Sequence, residues 1–159
     1  MKKQNENSNK RLISSNKKAH FDYLLFDKFT AGICLLGTEI KSIRKNGANL
    51  KDSYIKITDN LEAYLIGCHI SAYEFGNIFN HEPRRERKLL LNKKEILKIQ
   101  NKIKQEKYTI VPTQMFFMGR YAKLEIALAK GKKLYDKRED MAKKDAERKI
   151  QRTLKNAEY

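Results

Sequence analysis

Residues 108–131, "YTIVPTQMFFMGRYAKLEIALAKG", read as two β-strands that meet at Gly119-Arg120. A two-residue connection with glycine at its first central position suits a type II′ hairpin turn. Working back from it, "NKKEILKIQNKIKQEKY" is the clearest helix. Ile96, Leu97, Ile99 and Ile103 form an apolar stripe, and Asn92 stands where a cap is expected. "DSYIKITDNLEAYLIGCHIS" predicts a second β-hairpin, with Asp59-Asn60 supplying the turn chemistry. "TEIKSIRKNG" reads as a short helix capped by Thr38 and closed by Gly47. "FDYLLFDKFTAGICLLG" reads as two β-runs, about 21–27 and 31–37, joined by a turn near Thr30. Strands dominate the core and come as adjacent hairpins. The expected fold is therefore mainly β with helices, an antiparallel six-stranded barrel carrying two or three helices. Closing a barrel leaves no strand edge open to aggregation.

Around that core the chain divides into three: a flexible polar N-terminus over 1–15, a β-barrel domain over 16–133, and a basic C-terminal tail over 134–159. The tail has Met141, Ala142, Ala146, Ile150 and Leu154 at helical spacing, but the stripe is thin. So little apolar area cannot hold a helix in water, so the tail is expected to be disordered when free and helical in contact with a large RNA.

Charge narrows the function. The 159 residues hold 35 Lys and Arg against 19 Asp and Glu, a net charge of +16. Residues 1–18 carry +5 of this and residues 130–159 another +5, so the excess is concentrated at the two ends. Basic ends suit a polyanion, because each neutralised phosphate releases condensed counterions. The membrane surface is a weaker alternative partner. No apolar run approaches the ~20 residues that span a bilayer, and the first residues lack the apolar core of a signal peptide. Cys34 and Cys68 lie in apolar runs and are expected to be buried thiols, in keeping with a cytoplasmic location.

Signatures of catalysis are missing. His81-Glu82 begins like a zinc-protease helix, but Arg85 stands where the second histidine belongs and Pro83 breaks the helix. Three histidines and two cysteines at unrelated spacings make no metal site. Asp22, Asp27, Glu39 and Asp52 are most simply partners for neighbouring cations. No enzyme, cofactor, metal or small-molecule substrate is expected.

Basic groups interleaved with aromatics are the positive signal. Asn16, Lys17, Lys18 and His20 stand beside Phe21 and Tyr23. Residues 72–91, "AYEFGNIFNHEPRRERKLLL", have no period and read as a long loop, and Arg84, Arg85, Arg87, Lys88, Lys93 and Lys94 run from its end into the helix. Arg120 and Lys123 mark the last hairpin, and Lys130, Lys132 and Lys133 its exit. Arg and Lys reach phosphates, and His and Tyr stack on unpaired bases. Any one such cluster is most simply a solvated surface. Three of them on a small barrel, with basic ends, point to RNA.

In order along the chain, "NKKAHFDY" (16–23), "GICLLGTEIKSIRKNGANLKDSY" (32–54), "HISAYEFGNIFNHEPRRERKLLLNKKEI" (69–96) and "AKLEIALAKGKKLYDKRED" (122–140) resemble the SmpB family, the SsrA-binding or tmRNA-binding proteins of bacterial trans-translation. The resemblance implies an oligonucleotide-binding-like barrel without chemistry of its own. It implies binding to the tRNA-like domain of tmRNA, delivery of alanyl-tmRNA with elongation factor Tu, and rescue of ribosomes stalled on incomplete messages. Asn16, Lys17 and Lys18 match the family's entry motif. Glu39, Lys41, Ser42 and Arg44 match its short helix, Lys123 its last hairpin, and Lys130, Gly131, Lys132 and Lys133 its Gly-Lys-Lys exit. Asp136, Lys137 and Arg138 match the start of the tail. The resemblance extends the ribosome-contacting set to Lys143, Lys144, Arg148, Lys149, Ile150 and Arg152, directed at the decoding centre and mRNA channel. Two departures stand out: Thr30 where many members carry Glu, and Gly119-Arg120 where Asn-Gly is frequent. A ribosomal or rRNA-assembly protein is the alternative, and a nuclease using Asp52 or Glu39 is a third.

Overall fold

The computed structural model describes residues 9–157. Its strands are β1 (Lys10–Ser15), β2 (Tyr23–Ile33), β3 (Tyr54–Ile57), β4 (Ala63–Ile66), β5 (Arg87–Leu90), β6 (Thr109–Met118) and β7 (Tyr121–Gly131). The helices are α1 (Lys17–Asp22), α2 (Gly37–Asn46), α3 (Lys93–Glu106) and α4 (Leu134–Ala157), with a 3-10 turn at Asn77–Phe79. All strand pairs are antiparallel, in the order β1-β6-β7-β2-β5-β4-β3. The sheet curls until β3 comes alongside β6 without hydrogen-bonding to it.

The mainly β class expected from the sequence holds, with differences of detail, among them that α2 begins at Gly37 with Leu36, not Thr38, at its N-cap. There are seven strands: the two runs expected at 21–27 and 31–37 are one, Lys10–Ser15 pairs with β6, and Arg87–Leu90, expected as loop, forms β5; a polar composition does not prevent a segment from hydrogen-bonding as an edge strand. The expected mobile stretch 1–15 is thus a strand over 10–15, and residues 1–8 lie outside the described residues. Thr30 makes no turn. β2 runs unbroken for 11 residues, takes up its bend in a register shift between Leu25 and Lys28, and pairs Thr30 with Glu125. Lys17–Asp22 is a helical turn, because Asn16 caps it by accepting the Ala19 amide at 3.1 Å. Cys34 is exposed at the end of β2. Cys68 is buried, and burial pushes its thiol up to about 11.

The hairpin 108–131 supplies the two strands between β1 and β2. Gly119 has φ +60° at the first central position of its turn, as a type II′ geometry requires. Pro112 lacks an amide for the ladder, and the register shifts between Pro112 and Gln114. Ile110, Met115, Leu124, Ile126 and Leu128 point inward with Ile55, Leu65, Ile70 and Leu89. α3 packs Ile99 and Ile103 of its expected stripe against them and buries Ile96, whereas Leu97 of that stripe is exposed.

Two opposite charges lie inside this apolar core. Glu39 of α2 is fully buried and is held by Arg85 (Nε and Nη2, both 2.8 Å) and by Arg87 (Nε, 2.9 Å). It also accepts the Leu36 amide at 2.9 Å and so serves the first turn of its own helix. Arg87 is likewise fully buried, and it donates onward to the carbonyls of Cys68, Arg85 and Pro83. Burial alone would raise the Glu39 pKa. The two guanidinium groups and the Leu36 amide outweigh it and hold the carboxyl below its ordinary 4.5. Removing one partner from such a pair leaves a buried charge uncompensated. Glu39→Gln is expected to lower stability by about 3–5 kcal/mol in urea unfolding at neutral pH. A carboxyl whose folded pKa is depressed stabilises above its unfolded pKa, and loses that contribution as pH falls through the folded value. The gap between wild type and Glu39→Gln should therefore be full at neutral pH and shrink as pH drops below 4.5.

Candidate nucleic-acid interface

The β2–β7 ladder holds two groups of the sequence-predicted cations at its two ends, Arg120 and Lys123 at one and Lys130, Lys132 and Lys133 at the other. Tyr23 pairs with Gly131 at one end and Gly32 with Lys123 at the other. At ~3.3 Å per residue the two ends stand roughly 30 Å apart.

At the far end Gly32 pairs with both Leu90 and Lys123, so three strands meet at one point. A groove of about 480 Å³ opens there between Ile33, Cys34, Leu35 and Ile40 on one side and Arg120, Tyr121 and Lys123 on the other. Glycine keeps it open, since a Cβ at residue 32 would lie 3.2 Å from the Leu90 Cβ. Leu90 and Tyr121 are exposed within it. An apolar floor with two cations at the rim can take the face of a base while the cations hold phosphate. Residue type alone points to Arg120 and Lys123 but not to Leu90, Tyr121 or the β2 end. "KLLL" looks like core throughout. Yet period-two alternation from the inward Arg87 turns Leu89 in and Leu90 out.

At the near end, Lys17, Lys18 and His20 of α1 are exposed, and Lys18 pairs with Asp52 at 2.5 Å. Lys130 lies 4.6 Å from the Tyr108 ring centroid and 3.4 Å from Glu106. Lys132 pairs with Asp140 and donates to the His20 carbonyl, so it ties α4 to α1. Lys137 reaches Asp22 at 3.2 Å. Lys137 and Lys144 both flank the Phe21 ring. Lys133 is exposed. Beyond these first turns no residue of α4 is buried: Arg138, Lys143, Lys144, Arg148, Lys149, Ile150 and Arg152 all face solvent, and Asp136 is half-buried. On α2, Lys41 lies over Tyr73 and Arg44 over Phe117. Arg84 is exposed, and Lys88 pairs with Glu62 at 2.9 Å.

Three residues expected at the RNA surface stand inside instead. Glu39 and Arg87 neutralise each other in the core. Asn16 is 4% exposed, and its amide nitrogen donates to the carbonyls of Leu50 (3.1 Å) and Pro112 (2.9 Å) while its oxygen caps α1. All their side-chain polar atoms are engaged by protein. The acidic groups Asp22, Asp27, Glu39 and Asp52 do pair with cations, namely Lys137, Lys102, Arg85 with Arg87, and Lys18. No group of three metal-ligating side chains occurs among the described residues, and none of their helices is long and apolar enough to cross a membrane.

Comparison with known proteins places this geometry among relatives. The family model described as SmpB protein matches residues 13–156. The chain is 52% identical over 145 residues to an SsrA-binding protein of Carboxydothermus hydrogenoformans, covering 91% of this chain and 97% of that one. It is 55% identical over 146 residues to an SsrA-binding protein of Enterococcus hirae, covering 92% and 94%. Among solved structures, a chain from "tmRNA-SmpB: a journey to the center of the bacterial ribosome" superposes with a TM-score of 0.63 at 40% identity, over 76% of this chain and 85% of that one.

The burial of Asn16 separates its two readings. Asn16→Ala removes a helix cap and two buried hydrogen bonds, and is expected to lower stability by about 2–4 kcal/mol in thermal or urea unfolding without RNA. A residue serving only as an RNA contact would leave unfolding unchanged.

Proposed function

The chain belongs to the SmpB family, and we propose that it binds the tRNA-like domain of tmRNA and delivers it to stalled ribosomes for trans-translation. It acts by binding alone, with no reaction of its own. Its working partners are alanyl-tmRNA with elongation factor Tu and the ribosome, in the cytoplasm. The observation that carries this reading is the pair of cation groups that stand at the two ends of the β2–β7 ladder. Lys17, Arg120, Lys123 and Lys133 have no carboxylate partner among the described residues. Beside them, the pairs Lys18–Asp52 and Lys130–Glu106 are solvent-exposed, and an exposed pair contributes little to stability. Such a pair exchanges readily for a phosphate.

A surface some 30 Å long, with an apolar groove at one end and a cationic exit at the other, suits a folded RNA with an arm and an elbow. α4 then continues the charge away from that surface. Lys132 and Lys137 fix its first turns to α1, and Lys143, Lys144, Arg148, Lys149 and Arg152 project beyond them. This separation suits a second RNA body, the ribosome, met by the tail.

A salt titration of binding to a tRNA-like RNA, against a duplex of equal length, tests the main reading. Preference for the tRNA-like RNA is expected at every salt concentration. Lys123→Gln should weaken that binding and reduce the log–log salt slope by about one. Equal affinity of the wild type for both RNAs would leave only a generic polyanion binder. The tail carries a separate expectation. A helix that buries none of its residues has little stability in water, so amides across 145–155 should exchange rapidly in the free protein and become protected on ribosomes. Strong protection without ribosomes would contradict this.

A further inference from the structure

The loop between β4 and β5 carries the two most exposed large apolar side chains among the described residues, Ile78 at 89% and Phe79 at 85%, with Phe75 close behind at 71%. Single exposed apolar residues need no explanation, but three within five positions do.

The loop is not loose. The Asn80 side chain donates to the Tyr73 carbonyl at 2.6 Å and accepts the Tyr73 and His81 amides, each at 3.1 Å. The Gly76 amide adds a bond to the Tyr73 carbonyl at 3.0 Å. Any side chain at residue 76 would bring its Cβ within 2.7 Å of the Asn80 amide nitrogen, so only glycine fits beneath that clasp. His81 anchors the base from the buried side, its ring between the Thr38 hydroxyl (2.9 Å) and the Ile70 carbonyl (3.0 Å). The fold therefore holds these apolar groups outward.

Cations from α2 stand against the same loop. Lys41 Nζ lies 5.7 Å from the Tyr73 ring centroid and Lys45 Nζ 5.6 Å from that of Phe75. The two rings meet edge to face at 5.6 Å. An aromatic surface built for a protein partner is normally depleted of lysine at its centre. Rings flanked by ammonium groups are instead the pattern of single-stranded nucleic-acid sites, where bases stack and phosphates find cations.

We propose that Tyr73, Phe75 and Phe79 form a stacking platform for an unpaired nucleotide of a structured RNA, with Lys41 engaging the adjacent phosphate, Lys45 joining it by exchanging its exposed 2.6 Å pair with Glu74, and Asn80 positioning the loop. The inference rests on the RNA-binding reading above but assigns a site apart from the Arg120–Lys123 groove.

The test uses the full chain and a short single-stranded RNA carrying one 2-aminopurine, whose fluorescence is quenched by stacking. Wild type is expected to quench it. Phe75→Ala with Phe79→Ala should weaken binding about tenfold and restore the fluorescence, whereas Phe75→Tyr with Phe79→Tyr should retain both binding and quenching. Both positions are exposed, and circular dichroism should find each variant folded. Unquenched probe with wild type, or equal binding and quenching by the alanine pair, overturns the proposal. So does unchanged RNA binding accompanied by loss of a protein partner, which would make the loop a protein-docking surface. Selectivity of the wild type for tRNA-like RNA over duplex is read separately, so failure of the platform and failure of the main reading give different results.

Discussion

The buried carboxylate of Glu39 fixes the geometry on which the binding surfaces depend. It joins α2 to the β4–β5 segment through Arg85 and Arg87, and Arg87 extends the tie to the carbonyls of Cys68 and Pro83. Through it, one helix, the end of a long loop and the start of β5 share a single register. Ile40, one residue along from Glu39, lines the apolar groove, and Lys41, Arg44 and Lys45 lie over aromatic rings of the loop and of β6. A buried ion pair is a weak source of net stability, because desolvation offsets most of the attraction. What it supplies here is register: a hydrophobic replacement could fill the volume but would not align α2 with Arg85, Arg87 and the Leu36 amide together.

This division sorts the charges of a very basic protein into two kinds. Some belong to the scaffold: Glu39 with Arg85 and Arg87, and Glu125 with Thr113, Gln114 and Lys28. Burial tends to raise the Glu125 pKa, but these partners leave the carboxyl below its ordinary value. The others lie outside, unpaired or in exposed pairs, along the β2–β7 ladder, on α2 and down α4. Only the second kind is available to phosphate. Net charge alone does not separate them; burial does.

Much of the fold was legible from local pattern. The hairpin turn at Gly119-Arg120, the stripe of α3 and the Gly47 stop of α2 each follow from residue type and spacing. Where reading failed, the deciding contact was distant. Asn16 looks like part of a basic entry motif, and only its bonds to Leu50 and Pro112, 34 and 96 residues away, reveal a core residue. Arg87 looks like one more cation in "RRERK", and its carboxylate partner lies 48 residues earlier. β1 is too polar to predict as a strand, because its order comes from the ladder offered by β6. Leu90 fails for the opposite reason: an apolar run hides which member faces out.

The central claim is that the ligand meets the β2–β7 ladder from the groove to the exit, while the core charges only hold that surface in place. Mapping backbone amide chemical shifts during titration with a tRNA-like RNA tests it most directly. The claim predicts that shifts concentrate at 17–20, 32–35, 120–123 and 130–133, together with the loop platform at 41–45 and 73–80, with the outward face of α3 silent. Shifts centred on the exposed lysines of α3, or spread evenly over all exposed cations, would contradict it.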